Sequence, residues 1–527
     1  MTISPAVSDE ALSHRQVLRV LSGILVGMFL AALDQTIIVT PLPSIAAELS
    51  GVEHLSWVVA IYLLTSTIST PIYGKLSDLY GRRRLLQCAI SIFLTGSVLC
   101  ALSQTMSQLI AARALQGLGG GGLITLAHAL LADHVSPRER GRYQGYLSGT
   151  WATASVGGPV LGGLFVDHLS WRWVFWINLP IGAVALLLCW HSLRHLPQRY
   201  QRRAIDYPGA LLLAAGASSL LLVATWGGSQ YAWVSAPILG LVATGIILLA
   251  LFLIQELRAI EPILPPRLFR NDVFRVANSA SGVTSMVVFG TTMLLPIFLQ
   301  IVAGVTAAQS GLLMAPFTGT TVVGAFTTGS VMRSTGRYKR LPLIGLSLAV
   351  VSLGLLATMT FHTPHLVIAG YLTLLGYGIG MSLPVMLVSV QNAAEPRDMG
   401  SATSAVNFFR SLGGSFGAAV LWSVLIIALN HQLADGPGAR LAENGYALLQ
   451  GGPEAIAALA PEVRAIILPA LSDAFHVVFA TAAGLALTAL LISTTLNERP
   501  LRTTAGPGAA TAEAAELPLT PENAIGD

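Results

Sequence analysis

The stretch Gly74-Lys75-Leu76-Ser77-Asp78-Leu79-Tyr80-Gly81-Arg82-Arg83-Arg84 lies between two long apolar runs, and its reading decides the fold. On each side about twenty residues are predominantly apolar, the length needed to cross a ~30 Å hydrocarbon core. A short charged loop between two such runs is a hinge joining two membrane-spanning helices, with Lys75, Asp78 and Arg82 to Arg84 held at one membrane face. Gly74 and Gly81 permit close backbone contact and a sharp turn, and Asp78 can pair with an Arg of a neighbouring helix end. The basic run alone would only orient the chain. The acid and the two glycines ask for a further role.

Working outward, the chain of 527 residues is 54% hydrophobic and only 10% charged. A soluble domain carries roughly 25% charged residues, so this chain cannot coat its own surface for water. It reads as an all-α polytopic membrane protein. The net charge of +4 reflects basic residues in short inter-helix loops, which report orientation and not a nucleic-acid partner. Cys88, Cys100 and Cys189 lie inside apolar runs and are odd in number, as packing residues rather than a disulfide framework. The first apolar run is too long and too interrupted by Asp34 for a cleavable signal peptide.

Apolar runs long enough to span a bilayer predict fourteen helices, at 18–42, 55–76, 85–103, 107–131, 143–166, 173–193, 207–226, 236–257, 274–302, 310–332, 341–361, 366–390, 402–428 and 474–496. An even count puts both termini on one side. The Lys and Arg residues fall at the termini and in even-to-odd loops, except Arg172, Arg440 and Arg464 in odd-to-even loops and Arg113 and Arg410 within helices. The positive-inside rule therefore places both termini in the cytoplasm of a cell (inner) membrane protein. Residues 1–17 are then a cytoplasmic N-terminus. Residues 429–473 form a long external loop in which Glu454 to Leu459 has a helical composition, and 497–527 a disordered cytoplasmic tail.

An internal repeat is visible. Gly74, Gly81, Arg82 and Arg84 recur 255 residues later as Gly329, Gly336, Arg337 and Lys339. Gly117, Gly119, Gly121, Pro137, Arg138 and Gly141 recur 259 residues later as Gly376, Gly378, Gly380, Pro396, Arg397 and Gly400. A near-constant offset in two separate stretches predicts two six-helix bundles, 18–193 and 274–496, with two inserted helices in 194–273. The second copy has Arg333 in place of Asp78 and Leu372 in place of Arg113, so whatever those two residues do is assigned to the N-terminal half.

Three intramembrane charges stand out. Asp34, in Leu33-Asp34-Gln35-Thr36-Ile37-Ile38-Val39-Thr40-Pro41-Leu42-Pro43, is expected eight residues before the outer end of the first helix, ~12 Å deep at 1.5 Å per residue. A carboxylate there is costly and by default functional, against a structural cap or kink role. Arg113, in Arg113-Ala114-Leu115-Gln116-Gly117, lies at a similar depth, ~9 Å, and either pairs there or snorkels outward. Arg410, about two turns inside the thirteenth helix, either faces the cavity or snorkels to the cytoplasm. His128 and His476 sit near helix ends, where an interfacial histidine is the simpler reading. Gly117-Leu118-Gly119-Gly120-Gly121-Gly122 satisfies G-x-G-x-x-G, but both flanks are membrane helix, so the glycines serve close helix approach and not a dinucleotide.

These motifs together resemble the major facilitator superfamily. The opening stretch is similar to its G-x-x-x-D-x-x-G-R-[RK]-[RK] signature between helices two and three, which makes Gly74, Asp78, Gly81 and Arg82 a conformational latch by resemblance. The Asp34 segment resembles the L-D-x-T-I-V-N-x-A-L-P signature of the 14-helix drug/proton antiporter branch, with Val39 at the Asn position and Pro41 for Ala. The Arg113 segment resembles R-x-x-Q-G, whose Arg is implied to control proton release from a carboxylate. The stretch Ser155 to Gly163, with Gly157, Gly158, Pro159, Gly162 and Gly163, resembles the antiporter motif G-P-x-x-G-G, in which the proline removes a backbone hydrogen bond and the glycines remove bulk. Trp171 to Gly182 is close to the branch's W-R-W-I-F-x-I-N-x-P-I-G run.

The resemblance spans 16–500 and implies a major facilitator fold exporting amphipathic, often cationic compounds on inward proton flow. Asp34 and Arg113 are the implied proton-coupling pair. The expected partners are small-molecule substrates, protons, the lipid bilayer and, for loop 429–473, a periplasmic accessory protein. No cofactor or metal is expected. The chain has no G-x-x-x-x-G-K-[ST] loop for ATP, and neither H-E-x-x-H nor G-x-S-x-G for a membrane enzyme. A dedicated exporter of a metabolite, lipid or siderophore is the alternative, and a non-transporting receptor or scaffold would leave Asp34 without a reason.

Overall fold

A computed structural model describes residues 14–49, 54–193, 205–228, 230–360, 362–434, 456 and 459–503. The expected features at 1–13 and 504–527, and most of the central part of the external loop, lie outside the described residues. Those described are helical almost throughout. Among them eleven helices are long and apolar enough to cross a membrane.

The N-terminal part comprises α1 (His14–Ile37), a short α2 (Leu42–Leu49), α3 (Leu55–Tyr80), α4 (Arg82–Leu102), α5 (Met106–His134), α6 (Pro137–His168), a single turn α7 (Trp173–Trp176) and α8 (Asn178–Leu193). Next come α9 (Tyr207–Trp226) and α10 (Ala236–Arg258). The remainder is α11 (Asp272–Ile297), α12 (Ala307–Thr335), α13 (Arg340–Leu356), α14 (His365–Ala393), α15 (Met399–Ala434) and α16 (Pro461–Thr494). Two apolar cores are drawn wholly from residues 17–189, and a third wholly from residues 287–486. The fourth joins Leu213 and Ala217 of α9 and Phe252 of α10 to residues of α11 and α13 to α15. Leu249 of α10 fits over Gly216 of α9, while Ile246, Ile247, Leu253 and Ile254 of α10 face outward, as expected of a helix against lipid.

Three expectations are corrected. The stretch Gly74 to Arg84 is not a loop, because α3 continues to Tyr80 and Gly81 alone breaks the helix before Arg82 starts α4. Gly81 has φ 89°, a conformation open to glycine at little cost, and this single residue replaces a loop. Its repeat counterpart Gly336 also has positive φ, 69°, at the end of α12. The first helix ends at Ile37 rather than near 42, since Pro41 disfavours helix in the residue before it. Asp34 is thus one turn from its helix end, and its burial is supplied by neighbouring helices. The last helix starts at Pro461, a residue suited to a first helical position, so 461–473 are helix and not external loop; α15 likewise runs on to Ala434.

The two parts meet at the basic end, where Arg82, Arg83, Arg84, Arg337 and Lys339 lie. A side chain at Gly74 of α3 would meet Gly400 O of α15 at 2.7 Å, and one at Gly141 of α6 would meet Gly329 Cα of α12 at 2.6 Å. Those four glycines are the two repeat pairs seen in the sequence, so each seam joins one copy of one motif to the opposite copy of the other. Farther along α6 and α12, a Cβ added at Gly157 or Gly319 would meet nothing within 4 Å.

Candidate functional site

The glycine face of α5 builds the site. Gly117 lies on Tyr62 O of α3 at 2.5 Å and Gly119 on Phe93 N of α4 at 2.5 Å, measured to an added Cβ, so α5 is wedged between those helices. Gly96 of α4 admits the Gln116 backbone in the same way, at 2.6 Å. The dinucleotide-like glycine run is therefore a helix-approach motif. Its consequence is that Arg113 and Gln116, immediately before it, are delivered to Asp34 on α1.

Asp34 and Arg113 are 0% and 1% exposed and form an ion pair, Arg113 Nη1 to Asp34 Oδ2 at 2.6 Å. The same Nη1 donates to Gln116 Oε1 at 2.7 Å, and Arg113 Nε donates to Val58 O at 3.2 Å. The other carboxylate oxygen accepts from Gln116 Nε2 at 2.8 Å and from Asn178 Nδ2 at 3.0 Å. Asn178 also donates to Ser97 Oγ at 3.0 Å, and Ser97 to Phe175 O at 2.8 Å. The guanidinium lies 4.3 Å from the centroid of the Tyr62 ring. A buried ion pair recovers its desolvation only when the remaining donors and acceptors are also satisfied, and this one is held on both oxygens.

Sequence reasoning brought out Asp34 and Arg113 but gave no role to Gln116, Asn178, Ser97 or Tyr62. Gln116 and Asn178 lay within the quoted R-x-x-Q-G and W-R-W motifs, which was the available signal. Ser97 and Tyr62 carried none, because their role arises from the approach of α3 and α4 to α5.

The second cluster lies at the basic end. Asp78 Oδ1 pairs with Arg82 Nη2 at 2.6 Å, and Arg82 Nε reaches Asp133 Oδ2 of α5 at 2.8 Å. Asp78 also accepts from the backbone N–H groups of Gly400 at 2.9 Å and Ser401 at 3.0 Å, the first turn of α15. A carboxylate here satisfies orphan donors at a helix N-terminus in the opposite part of the molecule. Nearby, Lys75 Nζ pairs with Glu261 Oε2 at 2.7 Å, and Arg267 holds Asp398 with Nε and Nη2. The segment after α10 thus contacts both parts.

Of the antiporter-motif residues, Gly162 packs on Ile37 O of α1 at 2.6 Å, and Thr40 Oγ1 donates to Pro159 O at 3.3 Å. Gly158 packs on Thr36, whereas Gly157 meets nothing and Gly163 only brushes Thr40 at 3.8 Å. At the end opposite the basic face, Glu48 of α2 is held by Arg172 and by Trp171 Nε1, the latter at 2.6 Å. The Arg172 hydrogen bond, with that of Trp171, lowers the Glu48 pKa from its ordinary value. Arg410 is partly buried in α15 and is not among the groups that bond Asp34 or Arg113. His128 bonds its own helix at Ile124 O, and His476 bonds Met359 O.

Apolar helices enclosing a sealed ion pair, in two parts meeting through repeat-related glycines, define a polytopic membrane protein of the transporter class. The Major Facilitator Superfamily model matches residues 24–418, and the chain belongs to that family. It is 38% identical over 490 residues to the uncharacterized MFS-type transporter Rv1877 of Mycobacterium tuberculosis, covering 92% of this chain and 70% of that one. It is 36% identical over 431 residues to the multidrug transporter protein MdtP of Bacillus subtilis, covering 81% and 79%. The solved structure of the proton:xylose symporter XylE superposes with a TM-score of 0.60 at 15% identity, covering 95% of this chain and all of that one, a likeness of fold. The protein is a transporter and not an enzyme.

Proposed function

We propose that the protein exports amphipathic drugs or toxic compounds by alternating access, coupled to protons through Asp34 and Arg113. The observation that carries the reading is the sealed Asp34–Arg113 pair. Protonating Asp34 removes the charge that Arg113 Nη1 holds at 2.6 Å and weakens the bonds from Gln116 and Asn178. The three side chains come from α5 and α8, so the proton changes how α1 is gripped by its neighbours. The drug-exporter part draws on relatives such as the multidrug transporter MdtP.

In this reading the chain crosses the cell membrane fourteen times with both termini cytoplasmic. Two six-helix bundles, 18–193 and 274–496, flank inserted helices in 194–273. The basic end is cytoplasmic, and Gly74, Asp78, Gly81 and Arg82 latch it shut. The segment between α15 and α16, 435–460, is offered to an accessory envelope protein. A topology reporter fused after Trp233 is expected outside the cytoplasm.

The test of coupling is Asp34→Asn, which keeps size and much of the hydrogen bonding but cannot titrate. In everted vesicles it is expected to abolish uphill substrate movement while the protein remains in the membrane. Substrate still concentrated against a gradient by Asp34→Asn overturns the assignment.

A further inference from the structure

The Asp34–Arg113 pair is internally neutral. Arg410 is a different case. It lies eleven residues into α15, ~16 Å along the helix from its start, and among the described residues it has no ion pair and donates no hydrogen bond. A cation at such depth is unfavourable unless it meets water or an anion. No acid in the C-terminal repeat takes the place of Asp34 to serve it: the residues 255 and 259 positions on are Phe289 and Met293.

The side chains around Arg410 are short of acceptors to bond. Thr403, Asn407 and Arg410 fall on one helical stripe, at i, i+4 and i+7. Thr403 Oγ1 accepts from Gln391 Nε2 of α14 at 3.2 Å, and the same Nε2 reaches His128 O of α5 at 3.4 Å. The stripe therefore faces α14 and α5, where the N- and C-terminal parts meet. Asn407 is 7% exposed and its Nδ2 is without a hydrogen-bond partner; Thr125, one turn from His128, is fully buried and its Oγ1 is likewise unpartnered. Buried polar groups normally find partners, so an unmet donor on the Arg410 stripe and another on the facing helix α5, together with an unpaired guanidinium, form a set awaiting an acceptor-rich ligand.

We propose that Arg410, Asn407 and Thr125 form a substrate subsite for an oxyanion group, a carboxylate or sulfonate, on an amphipathic compound. The inference rests on the exporter reading and narrows its substrates. Arg410 supplies the planar fork that matches an oxyanion in two hydrogen bonds, and Asn407 and Thr125 donate to the oxygens that remain. The site draws on both parts of the molecule, α5 and α15, so an occupied subsite ties ligand binding to their separation. The resemblance implies cationic compounds; the subsite adds those that carry an acid, zwitterions included.

The experiment compares rhodamine B, which carries a free carboxylate, with its ethyl ester, which has the same aromatic body without that charge. Binding to the purified full-length protein in neutral detergent is read by fluorescence anisotropy. Wild type is expected to bind the acid about tenfold more tightly than the ester, the scale of charge-assisted hydrogen bonds. Arg410→Gln is expected to erase the preference, Arg410→Lys to keep part of it, and Asn407→Ala to reduce it in a protein with its charge intact. Equal or absent binding of the two dyes by wild type, or a preference that survives Arg410→Gln, overturns the subsite. An anionic lipid, phosphatidylglycerol, that displaced the ester as well as the acid would also overturn it. Gradient-driven uptake of the ester in everted vesicles tests the exporter reading separately: a preference without any uptake sinks that reading and leaves the subsite standing.

Discussion

The Asp78 carboxylate of α3 accepts the backbone N–H of Gly400 in α15 at 2.9 Å, across 322 residues of sequence. It holds Arg82 with the same carboxylate, so one side chain joins a hinge in the N-terminal part to a helix start in the C-terminal part. Asp78→Asn keeps one acceptor but loses the charge, at about 1.5–3 kcal/mol per charge-assisted bond. Turnover in everted vesicles is expected to fall about tenfold with substrate affinity nearly unchanged. Equal transport by wild type and variant at matched expression would remove the latch.

Arg113 faces a fully buried carboxylate, and breaking such a pair by removing one partner costs about 3–5 kcal/mol. Arg113→Ala is therefore expected to lower thermal stability in detergent more than the double variant Asp34→Asn/Arg113→Gln, which leaves no buried charge. Arg113→Lys keeps the charge but not the fork that spans Asp34, Gln116 and Val58, and is expected to impair coupling less than Arg113→Ala. A double variant less stable than Arg113→Ala would contradict the account.

Glu48 supplies a pH dependence. Its pKa lies below the ordinary 4.5 because Arg172 and Trp171 hold its ionised form. A depressed folded-state pKa stabilises above the ordinary value and is lost as pH falls through the folded value. The stability difference between wild type and Glu48→Gln is thus expected to be flat from neutral pH down to about 5 and to shrink below that. The pair is partly exposed, so the effect is small and weakens in salt. A difference that grew on acidification would refute the assignment.

The segment after α16 crosses the basic end as a strap. Tyr338 donates its hydroxyl to Asn497 O at 3.0 Å and accepts from Arg499 N, while Asn392 binds Pro500 O at 3.1 Å and Arg502 N at 3.1 Å. Arg502 O then accepts from Arg138 N of α6 at 3.4 Å, which joins the strap to the N-terminal part. Asn392→Ala removes two bonds worth about 1 kcal/mol each. A cysteine placed by Ser404→Cys, buried against Gly74, is expected to react with maleimide roughly tenfold faster in the Asn392→Ala background. An unchanged rate would show that the strap does not bias opening.

The sequence alone was enough for the membrane class, because low charge and long apolar runs are properties of local composition and survive without any knowledge of contacts. It also exposed the repeat, since Gly74 with Gly329 and Gly141 with Gly400 stand at nearly one offset. Asp34 and Arg113 were legible for the same reason: a charge in an apolar run is conspicuous wherever the run ends up. What the sequence could not say is that Gly74 meets Gly400, that Asp78 caps α15, or that Asn178 and Gln116 complete the Asp34 cage. Those facts belong to the approach of helices distant in sequence, and a polar residue in a helix carries no mark of its partner until packing supplies one. Arg410 shows the limit most plainly. Its position in the chain allowed cavity or interface equally, and only packing leaves it without an ion pair among the described residues, on a stripe with the unpartnered Asn407.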